Sequence, residues 1–449
     1  MPLPLTPVRF LERAVDLFSH RPAVVCGTNE FTYGEFGSRC LQLCSALRGA
    51  GIHPGDRVGF LSLNNHQLLE GYYGVPMAQA IVMPLNVRLS QMELVSILVH
   101  SGARLLFYEP DFQPLIDAFR LECPGIERFI ALNGEYEAFL QSGQQPGLES
   151  SPITFDHIDE SAVAELFYTS GSTGTPKGVM LTHRALYLHA LAVSTCYRDI
   201  DSMVDLHTIP LFHANGWGHA QADVMFGIKQ VMVRRFDPPA VMRLIQQHRA
   251  TDMSLVPTMA NALINLPDFD SYDVSSMREI QLGGAAASAD LIRKLEEKFR
   301  CSAWGGYGLT ETSPVLTMSR PDRTRQFASE DERFCLQAMT GRAVPGVELR
   351  VVDPDGNPVA RDGVAIGEII ARCDWLMAGY YRDPQGTAAT IRDGWLWTGD
   401  MAVWQPDGYV QIVDRRKEII VSGGENVSSI EVERAIIAHP DVFECAVVA

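Results

Sequence analysis

Short apolar runs alternate with amphipathic stretches along most of the chain, and this alternation narrows the folds open to it. Arg57–Leu63 (RVGFLSL) reads as a strand, His66–Ala80 as a helix and Ile81–Leu85 as a second strand. Gln91–His100 is again helical, and Ala103–Tyr108 is extended. The same order returns at Gln230–Arg234, Pro238–His248 and Met253–Val256. It returns once more at Glu279–Leu282, Ser288–Phe299 and Ser302–Trp304. Strand, helix and strand at this spacing predict parallel sheets covered by helices, so the expected class is α/β.

From about Gly341 the texture changes. Val347–Asp353, Gly367–Ala371 and Tyr409–Val413 are short β runs separated by Asp-Gly turns at 355–356, 362–363, 393–394 and 407–408. Such turns close antiparallel hairpins, which predicts a β-rich, barrel-like subdomain over about 341–413. A charged cluster, Asp414–Glu418, follows. Then come a β run at Ile419–Ser422, a Gly-Gly turn and a helix starting near Ser428–Ser429 with capping-box spacing. Asp414–Ala449 is 36 residues, shorter than the roughly 50 of a usual domain. The expectation is therefore an incomplete small α+β domain after a large one spanning 1–413.

Composition removes several classes. Of 449 residues, 46% are hydrophobic, which excludes a disordered chain. A net charge of −17 argues against general nucleic-acid binding, which needs a basic surface. Nine scattered cysteines show no zinc spacing and suggest a reducing compartment, with the thiols as small buried groups. The N-terminus MPLPLTPVRF has no signal-peptide pattern, and stretches such as Gly71–Val87 fall short of a membrane span. The expected location is cytoplasmic, with peripheral membrane contact left open. Neither a Gly-x-Ser-x-Gly elbow nor a His-Glu-x-x-His motif nor a dinucleotide fingerprint is present.

The segment Tyr168–Gly178 (YTSGSTGTPKG) carries the chemistry. Small residues let the backbone close around an anion, N–H groups and hydroxyls can cradle phosphate oxygens, and Lys177 supplies a counter-charge. The spacing is not that of a Walker A loop, because Pro176 precedes the lysine and Gly178 follows it. This segment resembles the phosphate-binding motif of the adenylate-forming superfamily, which includes acyl-CoA synthetases, luciferases and nonribosomal adenylation domains. Further matches follow in family order: Tyr307-Gly308-Leu309-Thr310-Glu311-Thr312 resembles the adenine and magnesium motif, and Thr398-Gly399-Asp400 the ribose motif. Asp414-Arg415-Arg416-Lys417 resembles the hinge between large and small domains, and Ser422–Asn426 the start of the CoA-side motif.

The resemblance implies ATP, Mg²⁺ and CoA as ligands and assigns roles. Thr169, Ser170, Gly171, Ser172, Thr173, Gly174, Thr175 and Lys177 would hold the triphosphate. Thr310 would bond the α-phosphate, and Glu311 would help hold Mg²⁺. Tyr307 would stack on adenine beside Gly306, Gly308, Leu309 and the turn containing Gly284, Ala285 and Ala286. Asp400 would accept the ribose hydroxyls, with Arg415 on the ribose or phosphate side. Asp414 and Lys417 belong to the implied hinge.

Pro210–Trp217 (PLFHANGW) resembles the fatty acyl-CoA synthetase branch. His213 would lie near the reacting carboxylate, and Trp217 would gate the acyl tunnel. His207 and His219 have no matching motif and are left as structural. Phe212–Trp217 carries no carboxylate, and Gly305 and Gly306 precede Tyr307 where larger residues would shorten a pocket. An uncharged, mostly aliphatic acyl group is expected, while Trp304-Gly305-Gly306 departs from the Gln or Asn common there and leaves chain length open. The implied enzyme is an AMP-forming acid–thiol ligase, with an acyl-AMP ligase serving a carrier protein, or a related aliphatic or aryl carboxylate–CoA ligase, as alternatives. A homodimer is compatible with the resemblance. The family's adenylating lysine lies beyond residue 449, so slow adenylation by this form is expected.

Overall fold

The computed structural model describes residues 3–144, 152–169, 176–322 and 324–415, with 420–422, 425–427 and positions 432, 436, 442, 445 and 447. The chain divides into two compact units. The first contains residues up to 251 with 310–314 and 375–384; the second contains 252–309, 315–374 and 385 onward.

The first unit is built on two sheets. One has the strand order Gly379–Tyr380, Lys177–Thr182, Val163–Thr169, Ile81–Pro84, Arg57–Leu61, Leu105–Tyr108, Arg128–Ala131. Its last five strands pair in parallel, and the first two are antiparallel additions. The other runs Val204–His207, Lys229–Met232, Pro22–Cys26, Asn29–Thr32. Parallel strands buried on both faces read as continuous apolar runs, which is why Leu105–Tyr108 (LLFY) is buried throughout. Helix Gln91–Ser101 packs over this sheet through Leu94, Ile97 and Leu98, which join Leu61, Met83 and Leu106 in one core. Each such side chain contributes about 1.5–3 kcal/mol on burial. The helix starts at a reciprocal capping box between Ser90 and Glu93 and ends at Gly102 in the left-handed region.

The second unit continues the strand–helix order. Asp252–Leu255, Glu279–Leu282 and Ser302–Gly308 pair in parallel. Ser288 caps the helix Ala289–Phe299 between the last two. The strand expected at Ser302–Trp304 runs on to Gly308. Gly-Gly-Tyr-Gly has little strand preference of its own, but antiparallel pairing of Gly306 with Met318 and Tyr307 with Thr317 holds it extended.

The β-rich run forms a five-stranded antiparallel sheet of Glu348–Val352, Ile366–Arg372, Ile391–Arg392, Trp395–Trp404 and Val410–Arg415. Its sharpest hairpin sets Arg392 opposite Trp395 across Asp393 (φ 50°) and Gly394 (φ 77°). Two positive φ values are what a type I′ turn needs. The expected helix near Ser428–Ser429 and the rest of the small domain lie outside the described residues, apart from the short hairpin of Ile420–Ser422 and Glu425–Val427. All nine cysteines are free, but only Cys40, Cys44 and Cys123 are buried, so the expectation of uniformly buried thiols is too broad. Among the described residues no helix is long and apolar enough to cross a membrane.

Candidate active site

In the first unit, the flanks of the phosphate-loop segment are cross-strand partners, Thr169 opposite Lys177. Ser170, Gly171, Ser172, Thr173, Gly174 and Thr175 lie outside the described residues. The Lys177 ammonium stands 4.5 Å from the centre of the Tyr380 ring, within cation–π range. The hydroxyl of that same ring donates to Glu311 Oε1 at 2.8 Å. One buried aromatic therefore touches both the lysine expected to meet phosphate and the acid expected to hold magnesium.

Local backbone bonds explain the arrangement. Gly379 and Tyr380 pair with Met180 and Val179, which lays their short strand along the edge of the Lys177 hairpin. Met377 N–H donates to the Glu311 carbonyl at 2.8 Å, and Ser313 Oγ donates to the Trp375 carbonyl at 2.8 Å. These bonds stitch the Thr310–Thr312 turn to the segment before Tyr380. Thr310 sits half-buried at the head of this turn. Sequence reasoning missed Tyr380; its signal was the Gly-Tyr-Tyr string shortly after the apolar Trp375-Leu376-Met377.

The acyl-side loop has an unusual backbone. Ala214, Asn215, Gly216, Trp217 and Gly218 all have positive φ, between 40° and 88°. Left-handed conformation costs about 1–2 kcal/mol for each residue with a Cβ, so the surroundings must hold the turn. Asn215 is fully buried, and its Nδ2 donates to Glu165 Oε2 at 2.8 Å. Gln221 Nε2 donates to the other Glu165 oxygen at 2.7 Å. Gly216 N–H reaches the His213 carbonyl at 3.1 Å. Glu165 has no cationic partner among the described residues, and burial pushes its pKa up to about 8. It was not singled out from the sequence, although a lone acid inside the apolar strand VAELFYT was a usable signal.

His213 precedes this turn with its ring 4.8 Å from that of Phe212. The ring reaches solvent, yet the crowding protein and the nearby Arg88 guanidinium lower its pKa to about 4. It is therefore a neutral imidazole at pH 7. Trp217 is half-exposed at the end of the turn.

In the second unit, Tyr307 and Asp400 meet. The Tyr307 hydroxyl donates to Asp400 Oδ2 at 2.5 Å, and burial followed by that carboxylate pushes the phenol pKa up. Arg415 is the register partner of Asp400, with its Nε 3.5 Å from Asp400 Oδ1. Asp400 N–H also bonds Thr398 Oγ1 at 3.1 Å, which fixes the Thr-Gly-Asp turn around Gly399 (φ 79°). Gly284, Ala285 and Ala286 are exposed just after the strand Glu279–Leu282, with Gly284 at φ 75°. Asp414 is fully buried at the end of the last sheet strand. Lys417 lies outside the described residues. Gly308 and Leu309 are half-buried beside Tyr307.

The reason expected for Gly305 needs correction. A Cβ there would lie 2.8 Å from the Met339 carbonyl oxygen. Backbone packing demands the glycine, so its smallness is no measure of pocket depth. At Gly306 a Cβ would meet the Gln281 amide at 3.1 Å and the Thr317 carbonyl at 3.4 Å, a tight but less prohibitive fit.

A family model for AMP-binding enzymes matches residues 11–381. The chain belongs to this AMP-binding enzyme family. Among similar AMP-binding enzymes is a long-chain-fatty-acid–CoA ligase of Thermus thermophilus, 38% identical over 98% of this chain and 82% of its own length. A peroxisomal butyrate–CoA ligase of Arabidopsis thaliana is 35% identical over 100% and 81%. A 4-hydroxybutyrate–CoA ligase of Metallosphaera sedula is 34% identical over 99% and 82%. Of solved AMP-binding enzymes, an anthranilate CoA ligase bound to anthranoyl-AMP superposes with a TM-score of 0.89 at 26% identity, covering 100% of this chain and 84% of that one. A Mycobacterium tuberculosis fatty acyl CoA synthetase reaches 0.82 at 27%, covering 99% and 85%.

Proposed function

We propose that the chain is an AMP-forming acid–CoA ligase acting on a medium- or long-chain fatty acid. The observation that carries this reading is the contact of Lys177 and Glu311 with the single ring of Tyr380. A fatty carboxylate oxygen attacks the α-phosphorus of ATP, and the bond to pyrophosphate breaks. The thiol of CoA then attacks the acyl carbonyl, and AMP leaves.

The first step brings two anions together, so catalysis rests on positioning and charge neutralisation. Lys177 meets the triphosphate, and Thr310 donates to the α-phosphate. Glu311 suits Mg²⁺: it is a hard oxygen donor, one oxygen bonds only a neutral hydroxyl, and no cation among the described residues pairs with it. Bound there, Mg²⁺ would neutralise phosphate charge. Asp400 orients the ribose, Tyr307 supports the adenine, and Arg415 shields the carboxylate. His213, neutral at pH 7, faces the reacting acid without adding a proton that would quench it. The hinge at Asp414–Lys417 and a division into a large domain over 1–413 and a small one beyond belong to the same reading. The five-residue turn 405–409 between Trp404 and Val410 leaves no room for a long insertion of the kind carried by carrier-protein acyl-AMP ligases.

A panel of straight-chain acids from acetate to stearate, incubated with ATP and read by pyrophosphate release, tests the substrate class. A maximum at about eight carbons or more is expected for an aliphatic pocket of ordinary size; a maximum at acetate or butyrate would overturn the acyl assignment.

A further inference from the structure

Next to the left-handed turn lies a closed polar cluster that the adenylation chemistry does not use. Asp205 and His207 stand two residues apart on the strand Val204–His207, so their side chains leave the same face of the sheet. The helix His219–Phe226 sets Asp223 against them. All three are buried, with 2%, 4% and 0% of their surfaces exposed. His207 Nε2 lies 3.2 Å from Asp223 Oδ2 and 3.5 Å from Asp205 Oδ2. One donor atom from each residue falls within 4.8 Å of the other two.

The two spacings from His207 are close to those of a coordination shell. Nitrogen and oxygen ligands about 2.0–2.1 Å from a tetrahedral cation stand roughly 3.3 Å apart. The electrostatics agree. Two carboxylates share a dry site in which the His219 imidazole beside Asp205 is the nearest cationic group, and no arginine or lysine among the described residues pairs with either. A dication would neutralise both, with His207 as a neutral ligand.

The surroundings resemble an outer shell. Tyr197 O–H donates to Asp223 Oδ1 at 2.7 Å, and His219 Nδ1 lies 3.1 Å from Asp205 Oδ2. Groups in such positions orient ligating carboxylates. Gln230, the cross-strand partner of Asp205, comes up beside His207. It is fully buried, and its amide lies near His207 and the Tyr33 hydroxyl without a well-formed hydrogen bond to either. Polar groups in a closed core are normally satisfied, and a cation with its own ligand water would supply what this amide lacks.

We propose that Asp205, His207 and Asp223 bind a divalent transition cation, with zinc the preferred ion and with Tyr197 and His219 orienting the two carboxylates. Mixed imidazole and carboxylate donors suit zinc better than magnesium, which favours all-oxygen sites. The ion would be structural and separate from the one at Glu311. It would clamp the strand before the Phe212–Gly218 loop to the helix after it. A Cβ at Gly216 would lie 3.5 Å from His207 Nδ1, so the clamp bears directly on the turn that carries Trp217.

The test uses the intact protein, stripped with EDTA and reloaded with Zn²⁺ or Co²⁺ alone. Expected results are about one equivalent of metal retained through gel filtration, visible Co²⁺ absorption bands of a low-symmetry site, and a higher melting temperature on loading. Folded Asp223→Asn protein should retain less than about a tenth of that metal. Wild-type protein that retains less than a tenth of an equivalent of either ion, with no shift in melting, would overturn the proposal. That result would mean a metal-free network with a proton shared between the carboxylates. Undiminished binding by folded Asp223→Asn would overturn it equally. If this variant does not fold, the wild-type cobalt spectrum decides alone.

Discussion

The Tyr380 hydroxyl donates a 2.8 Å hydrogen bond to Glu311 while the face of its ring lies 4.5 Å from the Lys177 ammonium. The tyrosine thus contacts two groups of opposite charge, through its ring face and its hydroxyl. An ion pair between Lys177 and Glu311 would neutralise both groups before ATP arrived. On the proposed reading, bonding Glu311 through a neutral hydroxyl leaves the lysine for phosphate and the carboxylate for a cation.

Replacing Tyr380 with Phe isolates the hydroxyl. The ring remains under Lys177, but the bond to Glu311 is lost. A hydrogen bond to a charged group is worth about 1.5–3 kcal/mol, so kcat/KM for ATP should fall about tenfold to a hundredfold. The half-saturating Mg²⁺ concentration should rise. A titration of adenylation rate against Mg²⁺ checks this, and an unchanged Mg²⁺ dependence would contradict it.

Asp400 offers a second handle. It accepts a 2.5 Å bond from Tyr307 and stands beside Arg415. Asp400→Asn keeps the shape and removes the charge. The expected result is a rise in KM for ATP of about tenfold or more, with a smaller effect on kcat. Steady-state kinetics at saturating acid separates the two constants.

Glu165 predicts a pH effect on stability. Its carboxyl is held at about 8 in the folded protein, against an ordinary value of 4.5. The folded state thus keeps a proton that the unfolded chain releases. This contribution is full below pH 4.5, declines as the pH rises towards 8 and is flat above. Glu165→Gln removes the ionisation, and rotation of the Asn215 amide can offer its unpartnered Oδ1 to the new N–H group. Melting curves between pH 5 and 9 should show the variant gaining on the wild type as pH rises. A constant difference would refute the assignment.

Trp217 closes the left-handed turn at φ 63°. Trp217→Ala should shift acid preference towards longer chains, because the indole is removed while the Glu165–Asn215 anchor is untouched. Competition between octanoate and palmitate, read by mass spectrometry of the acyl-CoA products, reports the ratio. An unchanged ratio would show that the indole does not gate the chain.

Much of the fold was legible in the sequence because its signals are local. Helix Pro238–His248 begins with prolines whose missing N–H groups cost nothing at a helix start, and the Asp-Gly pairs mark the hairpins. Lys177, Glu311 and Asp400 could be singled out as candidates because each lies in a short string of distinctive residues. Tyr380, Glu165 and Asp223 were not. Their roles depend on partners far away in the chain, such as Tyr380 with Lys177, and no local pattern encodes such meetings. The glycine at 305 was misread for the same reason, since the Met339 carbonyl that excludes a side chain is distant in sequence.

The central claim is tested most directly by following products. The protein is incubated with ATP, Mg²⁺, CoA and a long-chain fatty acid, and AMP, pyrophosphate and acyl-CoA are quantified together. The account predicts equal amounts of all three, with acyl-AMP accumulating when CoA is left out. ADP and inorganic phosphate in place of AMP and pyrophosphate, or acyl-CoA formed without any AMP, would contradict it.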